Sequence, residues 1–111
     1  MTELMQHEIT AERTFHHDSP WFSGHFPDNP ILPGIAQLSL VFEAVRNSAK
    51  NELKILEFKR VKFKQVIKPE DKLEIKVIQD KGDASTYSFM ISVEGEVVCS
   101  GVMITKSEIE S

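Results

Sequence analysis

The chain has 111 residues, of which 41% are hydrophobic and 27% are charged, and its formal net charge at pH 7 is −4. This length and composition predict one globular domain spanning residues 1–111, because two domains would each be too small to bury a core. No run approaches the ~18 consecutive apolar residues of a membrane span, so we expect no membrane segment. The negative charge argues against nucleic-acid binding, since phosphates need a surplus of basic residues.

The cysteine, the histidine pair and the start of the chain bear on location and on metal sites. Residues 1–8 contain no basic segment and no apolar run, so we expect no secretory signal and a cytoplasmic protein. Cys99 is the one cysteine of the sequence and lies in a strand-like run, which favours an inert core thiol. His16 and His17 are adjacent and would point to opposite faces of a strand, which disfavours a shared metal. We predict no disulfide, no metal site and no cofactor.

The first predicted element is a strand over residues 8–15, and Asp18-Ser19-Pro20 ends it with turn residues. Trp21 and Phe22 follow this turn. We interpret these two side chains as an aromatic plug beneath the loop that comes next.

That loop, residues 23–34, places His25 in a stiff stretch that leads directly into a helix. Its prolines each fix φ and remove a backbone donor, so we expect an extended, rigid connector: Pro27, Pro30 and Pro33. Gly34 begins an apolar-periodic segment, and its unpaired N–H would lie at the positive end of the helix dipole. An imidazole and a site for developing negative charge are therefore close in sequence.

One long helix is predicted after the loop. Apolar residues recur at spacings of three and four: Ile35, Leu38, Phe42, Val45 and Ala49. Leu40, Val41 and Ala44 widen the apolar surface beyond a single stripe, which predicts a helix that is buried on most sides. Polar residues fall at four-three-four spacing and form a line along the remaining face: Ser39, Glu43, Arg46 and Lys50.

From Leu53 onward the pattern changes to period two and predicts four strands, over residues 55–63, 73–81, 86–93 and 97–105. Short connections between the last three predict antiparallel hairpins. The sum of elements predicts an α+β fold in which an antiparallel sheet curls around the helix. Such a small sheet leaves an edge strand exposed, which favours pairing with a second copy.

Basic residues crowd the segment 54–68. On an alternating strand, one face would carry Arg60, Lys62 and Lys64, and the other would carry Val61 and Phe63. We leave two interpretations open, a solvated sheet face and a docking surface for an acidic partner.

The segment Gly-His-Phe-Pro-Asp-Asn-Pro-Ile-Leu-Pro-Gly-Ile, residues 24–35, resembles the signature of hot-dog-fold dehydratases that act on 3-hydroxyacyl chains carried by acyl carrier protein. The order of the elements and the run at residues 58–71 are similar as well. The resemblance implies a hot-dog fold and hydro-lyase activity in fatty-acid or related acyl-chain synthesis. It also implies a thioester of acyl carrier protein or coenzyme A as the substrate, and a homodimer or a higher oligomer of dimers.

The same resemblance implies roles for individual residues. His25 would remove the C2 proton with its ring oriented by the Ile31 carbonyl, and the Gly34 N–H would polarise the thioester carbonyl. The family's acid is an Asp or Glu on the helix that faces the histidine of the other protomer, and Ser39 stands at that position. Glu43, one turn later and displaced by about 6 Å along the axis, is the candidate for a relocated acid assisted by Ser39.

The remaining candidate residues line the acyl chain or contact the carrier. For substrate binding we name Ile31, Phe26, Pro33, Trp21 and Phe22, and for the carrier Arg60, Lys62 and Lys64. Two alternatives stay open besides the dehydratase: a catalytically impaired subunit that binds acyl thioesters or acyl carrier protein, and a subunit completed by a paralogue in a heterodimer. Thioester hydrolysis is a further alternative, because the fold also hosts thioesterases.

Overall fold

One antiparallel sheet and one helix make up the part of the chain that the computed structural model describes, residues 8–22, 31–48 and 53–107. The strands are β1 (Glu8–Thr14), β2 (Leu53–Phe63), β3 (Lys72–Gln79), β4 (Thr86–Val93) and β5 (Glu96–Ser107), and the helix is α1 (Gly34–Ser48). A single 3₁₀ turn, Pro20–Phe22, lies between β1 and α1. The strand order is β1-β3-β4-β5-β2, so β1 and β2 are the edges. The predicted architecture is confirmed.

The sheet and the helix enclose one core. In β3 and β4 alternate side chains are buried and face the same way, as the period of two predicted: Leu73, Ile75, Val77, Tyr87, Phe89 and Ile91. Both hairpins are antiparallel, and β4 turns into β5 through Glu94 and Gly95, which have φ of 52° and 83°. Cys99 is fully buried, so its predicted place in the core is confirmed, and this burial raises the pKa of its thiol to about 11.

The helix packs on this core through part of the predicted apolar surface and through two residues that were not predicted, Ala36 and Gln37. Its buried side chains are Ala36, Gln37, Leu40, Val41, Ala44 and Val45. The expectation that Ile35 belongs to the buried stripe is wrong, because its side chain is 65% exposed. Apolar residues occupy so many positions of α1 that the spacing alone did not define which side faces the sheet. No helix among the described residues is long and apolar enough to span a membrane.

The edge strand β2 departs from simple alternation. Its register against β5 shifts between Lys59 and Lys62, and Arg60 there has a positive φ of 54°. Such a bulge adds a residue to one strand and resets which side chains point to the core. Val61 packs against the core, and Phe63 pairs with the buried Cys99 and contacts Gly34 of α1. The prediction that these two share one side of β2 is confirmed, although Phe63 at the end of the strand is 51% exposed.

Candidate active site

A pocket of about 320 Å³ lies at the start of α1 and is called the Gly34 pocket below. It is lined by Ile31, Leu32, Pro33, Gly34 and Gln37 on one side and by Phe63, Lys64, Gln65 and Val66 on the other. Two of the predicted substrate-binding residues, Ile31 and Pro33, are therefore in its wall. His25 and Phe26 lie outside the described residues, so their roles stay predictions.

Gly34 brings to this pocket a backbone donor that has no acceptor in residues 8–22, 31–48 and 53–107. The N–H groups of Ala36 and Gln37 both donate to the carbonyl of Pro33, at 3.1 and 3.3 Å, while none of the described residues accepts from the Gly34 N–H. A Cβ added to Gly34 would lie 2.8 Å from Cζ of Phe63, so a larger residue does not fit there unless the ring moves. The free donor at a helix start is the arrangement that stabilises a developing negative charge.

Gln37 is a polar residue of this pocket that the sequence reasoning missed. Its side chain is 3% exposed, and its Nε2 donates to the carbonyl of Leu32 at 3.2 Å. Its Oε1 is buried and has no hydrogen-bond partner in the described structure. An amide inside an otherwise apolar stretch of α1 was the signal that could have drawn attention to it.

A second cavity of about 280 Å³ lies at the middle of α1 and is called the Glu43 pocket. It is lined by Arg13, Phe15, Trp21, Ala36, Ser39, Leu40, Phe42, Glu43 and Arg46. The prediction that Ser39, Glu43 and Arg46 share one face of the helix is confirmed, whereas Lys50 lies outside the described residues. Trp21 is part of this lining, but Phe22 is buried in the core and lines neither pocket.

The polar groups of the Glu43 pocket already have partners inside the chain. Ser39 Oγ donates to the carbonyl of Ile35 at 2.9 Å, one turn back in the helix. Glu43 Oε1 accepts from Nη1 of Arg13 at 2.8 Å, and the Arg13 guanidinium also lies 5.0 Å from the ring centroid of Phe15. In this arrangement Glu43 is the acceptor in an ion pair, and Ser39 directs its proton to the backbone.

The two pockets lie on different sides of α1 and have no lining residue in common. Gln37 and Ser39 are two positions apart, which turns their side chains by about 200° around the helix axis. One copy of the described chain thus does not bring Gly34 and Glu43 into the same cavity.

A basic groove of about 570 Å³ runs across the face of the sheet that points away from α1. Arg60, Lys62 and Lys64 all line it, as the sequence suggested, and Lys76 of β3 adds a fourth cation. None of the described carboxylates forms an ion pair with Arg60, Lys62 or Lys64. Lys64 also lines the Gly34 pocket, so the groove and that pocket adjoin.

His16 and His17 both contact one carboxylate at the surface. His16 Nδ1 lies 2.9 Å from Oε1 of Glu70, and the backbone N–H of His17 donates to Oε2 at 3.1 Å. The hydrogen bond to Glu70 raises the pKa of His16, and the same bond lowers the pKa of Glu70. Within the described ranges no three His, Cys, Asp or Glu side chains form a metal-binding group. These residues tie the end of β1 to the turn before β3.

Comparison with known proteins identifies the family. The model of the ApeI-like family, described as ApeI dehydratase, matches residues 2–102. This chain belongs to the ApeI-like dehydratase family. Among its relatives, 3-hydroxyacyl-(acyl-carrier-protein) dehydratase FabZ of Caldicellulosiruptor bescii is 34% identical over 96 residues, covering 78% of this chain and 69% of the relative. FabZ of Streptococcus suis is 31% identical over 110 residues, covering 91% and 79%.

A solved structure confirms the fold of this ApeI-like chain. The dehydratase heterocomplex ApeI:P from Xenorhabdus doucetiae superimposes with a TM-score of 0.80 at 24% identity, covering 94% of this chain and 91% of that one. At this identity the likeness shows the fold alone, which is the hot-dog fold that the sequence resemblance implied.

Proposed function

We propose that the chain dehydrates 3-hydroxyacyl thioesters carried by acyl carrier protein or coenzyme A. The observation that carries this proposal is the N–H of Gly34, which lines a pocket at the start of α1 and has no acceptor among the described residues. In the sequence, the loop that contains His25 leads directly to this point. The names of the FabZ relatives support the same reaction.

The reaction needs a base, a site for negative charge and a proton for the departing hydroxyl group. His25 takes the proton from C2, and the Gly34 N–H donates to the thioester oxygen as the charge of the enolate develops there. The electron pair then forms the C2–C3 double bond, the C3–O bond breaks, and the hydroxyl leaves with one added proton as water. Imidazole suits the first step because it titrates near neutral pH.

We infer that the proton donor comes from a second copy of the chain. Because Gly34 and Glu43 line separate pockets within one copy, a complete site forms only where the Gly34 pocket of one copy faces the Glu43 pocket of another. Large apolar side chains are exposed at the start of the helix, on the edge strand β2 and in the segment that follows β2, and their exposure favours such pairing. They are Ile35, Ile55, Leu56, Phe63 and Val66. Glu43 must leave Arg13 before it can act as the acid.

The basic groove is the proposed docking surface for an acidic carrier protein. Arg60, Lys62 and Lys64 have no carboxylate partner among the described residues, so their charge is available to an incoming acidic surface. Because Lys64 lines both cavities, a carrier docked there would hold its arm beside the Gly34 pocket.

Turnover of 3-hydroxyacyl thioesters of several chain lengths tests the proposal. We expect the purified chain to form the enoyl thioester, and His25→Ala to lower kcat by about 10²- to 10⁴-fold, because a positioned base contributes about that much. His16→Ala is the matched control, since His16 is exposed and bonded to Glu70, and it should keep full activity. Equal rates for His25→Ala and the unmodified chain would contradict the proposal.

A second candidate is a subunit that contributes only the His25 and Gly34 half of a site. It is favoured because both candidate proton donors, Ser39 and Glu43, are already paired inside the chain. The structurally similar ApeI:P protein is described as a heterocomplex. On this proposal the chain alone is inactive, and a paralogue with an Asp or Glu at the position of Ser39 restores turnover. Activity of a pure homodimer, shown by native mass measurement, would eliminate it.

A further inference from the structure

Oε1 of Gln37 is a buried hydrogen-bond acceptor that has no donor in the described part of the chain, and Gln37 lines the Gly34 pocket. We propose that this oxygen accepts a hydrogen bond from the 3-hydroxyl group of the bound substrate. Gln37 would then determine specificity by holding the leaving hydroxyl and selecting 3-hydroxyacyl chains over saturated ones. This inference rests on the proposed dehydratase function.

The orientation of the Gln37 amide is fixed by its neighbour. Its Nε2 donates to the carbonyl oxygen of Leu32, which can only accept, so the oxygen of the amide is the atom left over. Leu32 is in turn held by its N–H, which donates to the carbonyl of the buried Ile67 at 2.8 Å. Oε1 is therefore a preorganised acceptor on a rigid support.

A buried acceptor without a hydrogen-bond donor is unusual in a folded protein. Burying a polar atom without a partner destabilises a folded protein, and native structures contain few such atoms. An apolar residue of similar size at position 37 would avoid the penalty. A ligand that donates a hydrogen bond to Oε1 would remove this penalty on binding. Such a ligand would therefore bind more tightly than one of the same shape without a donor.

The depth of the two polar groups in the pocket indicates which part of the substrate meets each. Gln37 lies three residues beyond Gly34, about 4.5 Å further along α1 on nearly the same side. Gly34 is partly exposed while Gln37 is almost fully buried, and the exposed side chains of Phe63 and Val66 form the mouth. A thioester whose carbonyl reaches Gly34 places its carrier arm at the mouth and its acyl carbons deeper. On the acyl chain, the group that can donate a hydrogen bond is the hydroxyl on C3.

Phe63 lines the same pocket beside Gly34. Its ring packs on Gly34, with Cζ 2.8 Å from where a Cβ would be. Because Oε1 is buried in the free chain, side chains of the pocket have to move when the acyl chain enters, and we expect the Phe63 ring to be one of them. Half of the Phe63 side chain is already exposed, so this movement removes little buried apolar contact.

Binding of matched ligands to a non-reacting protein tests the inference. In the His25→Ala background we expect a 3-hydroxyacyl pantetheine thioester to bind about tenfold to hundredfold more tightly than the saturated thioester of equal length. Gln37→Met should bring this ratio to about one and leave the affinity for the saturated thioester unchanged. Gln65→Met is the control, because Gln65 lines the same pocket but is exposed, and it should preserve the ratio.

The other outcomes distinguish failure of this inference from failure of the proposed function. If Gln37→Met weakens both thioesters equally, or if the parent protein does not discriminate between them, the inference is overturned while the dehydratase proposal stands. If no thioester binds and the unmodified chain has no turnover, the proposed function fails as well. If Gln37→Met does not fold, a 3-fluoroacyl thioester tests the parent protein instead, since fluorine cannot donate. It should bind as weakly as the saturated ligand, and binding as tight as the hydroxy ligand would overturn the inference.

Discussion

The two ends of the proposed site differ in the state of their polar groups. At the Gly34 pocket a backbone donor and the Gln37 acceptor have no partners among the described residues. At the Glu43 pocket Ser39 is bonded to its own helix and Glu43 is paired with Arg13. The first pocket is prepared to receive a polar ligand, whereas the second must exchange an internal partner before it can take part. The difference separates the half that we propose to bind the thioester from the half whose proposed role depends on a rearrangement.

The largest expected effect comes from Glu43 and separates the acid from its ion-pair partner. Glu43→Gln should lower kcat by about 10²- to 10⁴-fold if Glu43 protonates the departing hydroxyl. Arg13→Gln keeps the carboxylate and removes the guanidinium, so it should leave kcat within a few-fold of the unmodified chain. Turnover of one 3-hydroxyacyl thioester by both variants measures this. Equal losses would instead assign the function to the ion pair as a unit.

Gly34→Ala tests the Gly34 pocket, because the added methyl group crowds the backbone N–H of this residue. The added Cβ meets the Phe63 ring at 2.8 Å, so ring and backbone must shift, and a displaced donor lowers kcat/KM by about tenfold to hundredfold. Removing the ring in Gly34→Ala/Phe63→Ala should recover part of the loss. Gly82→Ala is the control, because its Cβ would make only an ordinary contact at 3.5 Å. An unchanged kcat/KM in Gly34→Ala would argue against a role for this N–H.

Charge reversal in the groove tests whether the groove docks the carrier protein that brings the substrate to the Gly34 pocket. Lys62→Glu should raise KM for a carrier-protein substrate by about fivefold at low salt and leave KM for a pantetheine substrate unchanged. The effect should fade as salt screens the charges. Lys81→Glu, in the turn between β3 and β4 and outside the groove, is the matched control. A parallel rise in KM for both substrates would show that Lys62 affects the pocket and not the carrier.

The smallest expected effect concerns the surface contacts beside the Glu43 pocket, where the Glu70 N–H donates to the carbonyl of Phe15 at 2.8 Å. The pKa of His16 is raised and that of Glu70 is lowered from the ordinary values of 6.5 and 4.5. The contact between His16 and Glu70 therefore contributes its full stabilisation to the folded state between pH 4.5 and 6.5. It declines as pH falls through the lowered pKa of Glu70 or rises through the raised pKa of His16.

Thermal unfolding across pH 3 to 9 detects this pattern. The difference in Tm between the unmodified chain and Glu70→Gln should peak near the middle of that window and stay small, because both side chains are exposed. A pH-independent difference would contradict the assignment.

Local sequence patterns predicted most of the fold, because each depends on near neighbours. The strand over residues 86–93 was predicted with its observed bounds, and the other strands agree to within two residues. The buried side of α1 was predicted only in part, because apolar residues surround the helix and only contact with the sheet selects a face. The bulge at Arg60 was missed because the preference for a positive φ there comes from pairing with β5.

The candidate site was predicted where the motif determines it and missed where distant residues meet. Ile31, Pro33 and Gly34 are together in one pocket, and Ser39 and Glu43 are together in another, as local spacing implied. The pairing of Arg13 with Glu43 joins residues 30 positions apart, which no local pattern specifies. The missing donor for Gln37 likewise depends on the packing of Leu32 against Ile67.

Mixing two inactive variants tests most directly whether the site is shared between copies. His25→Ala and Glu43→Gln, each inactive alone, are unfolded and refolded together so that their subunits pair at random. A shared site should restore about a quarter of the unmodified activity, since half of the dimers are mixed and each mixed dimer has one intact site. Activity no higher than the mean of the two separate variants would contradict a site built from the Gly34 pocket of one copy and the Glu43 pocket of the other.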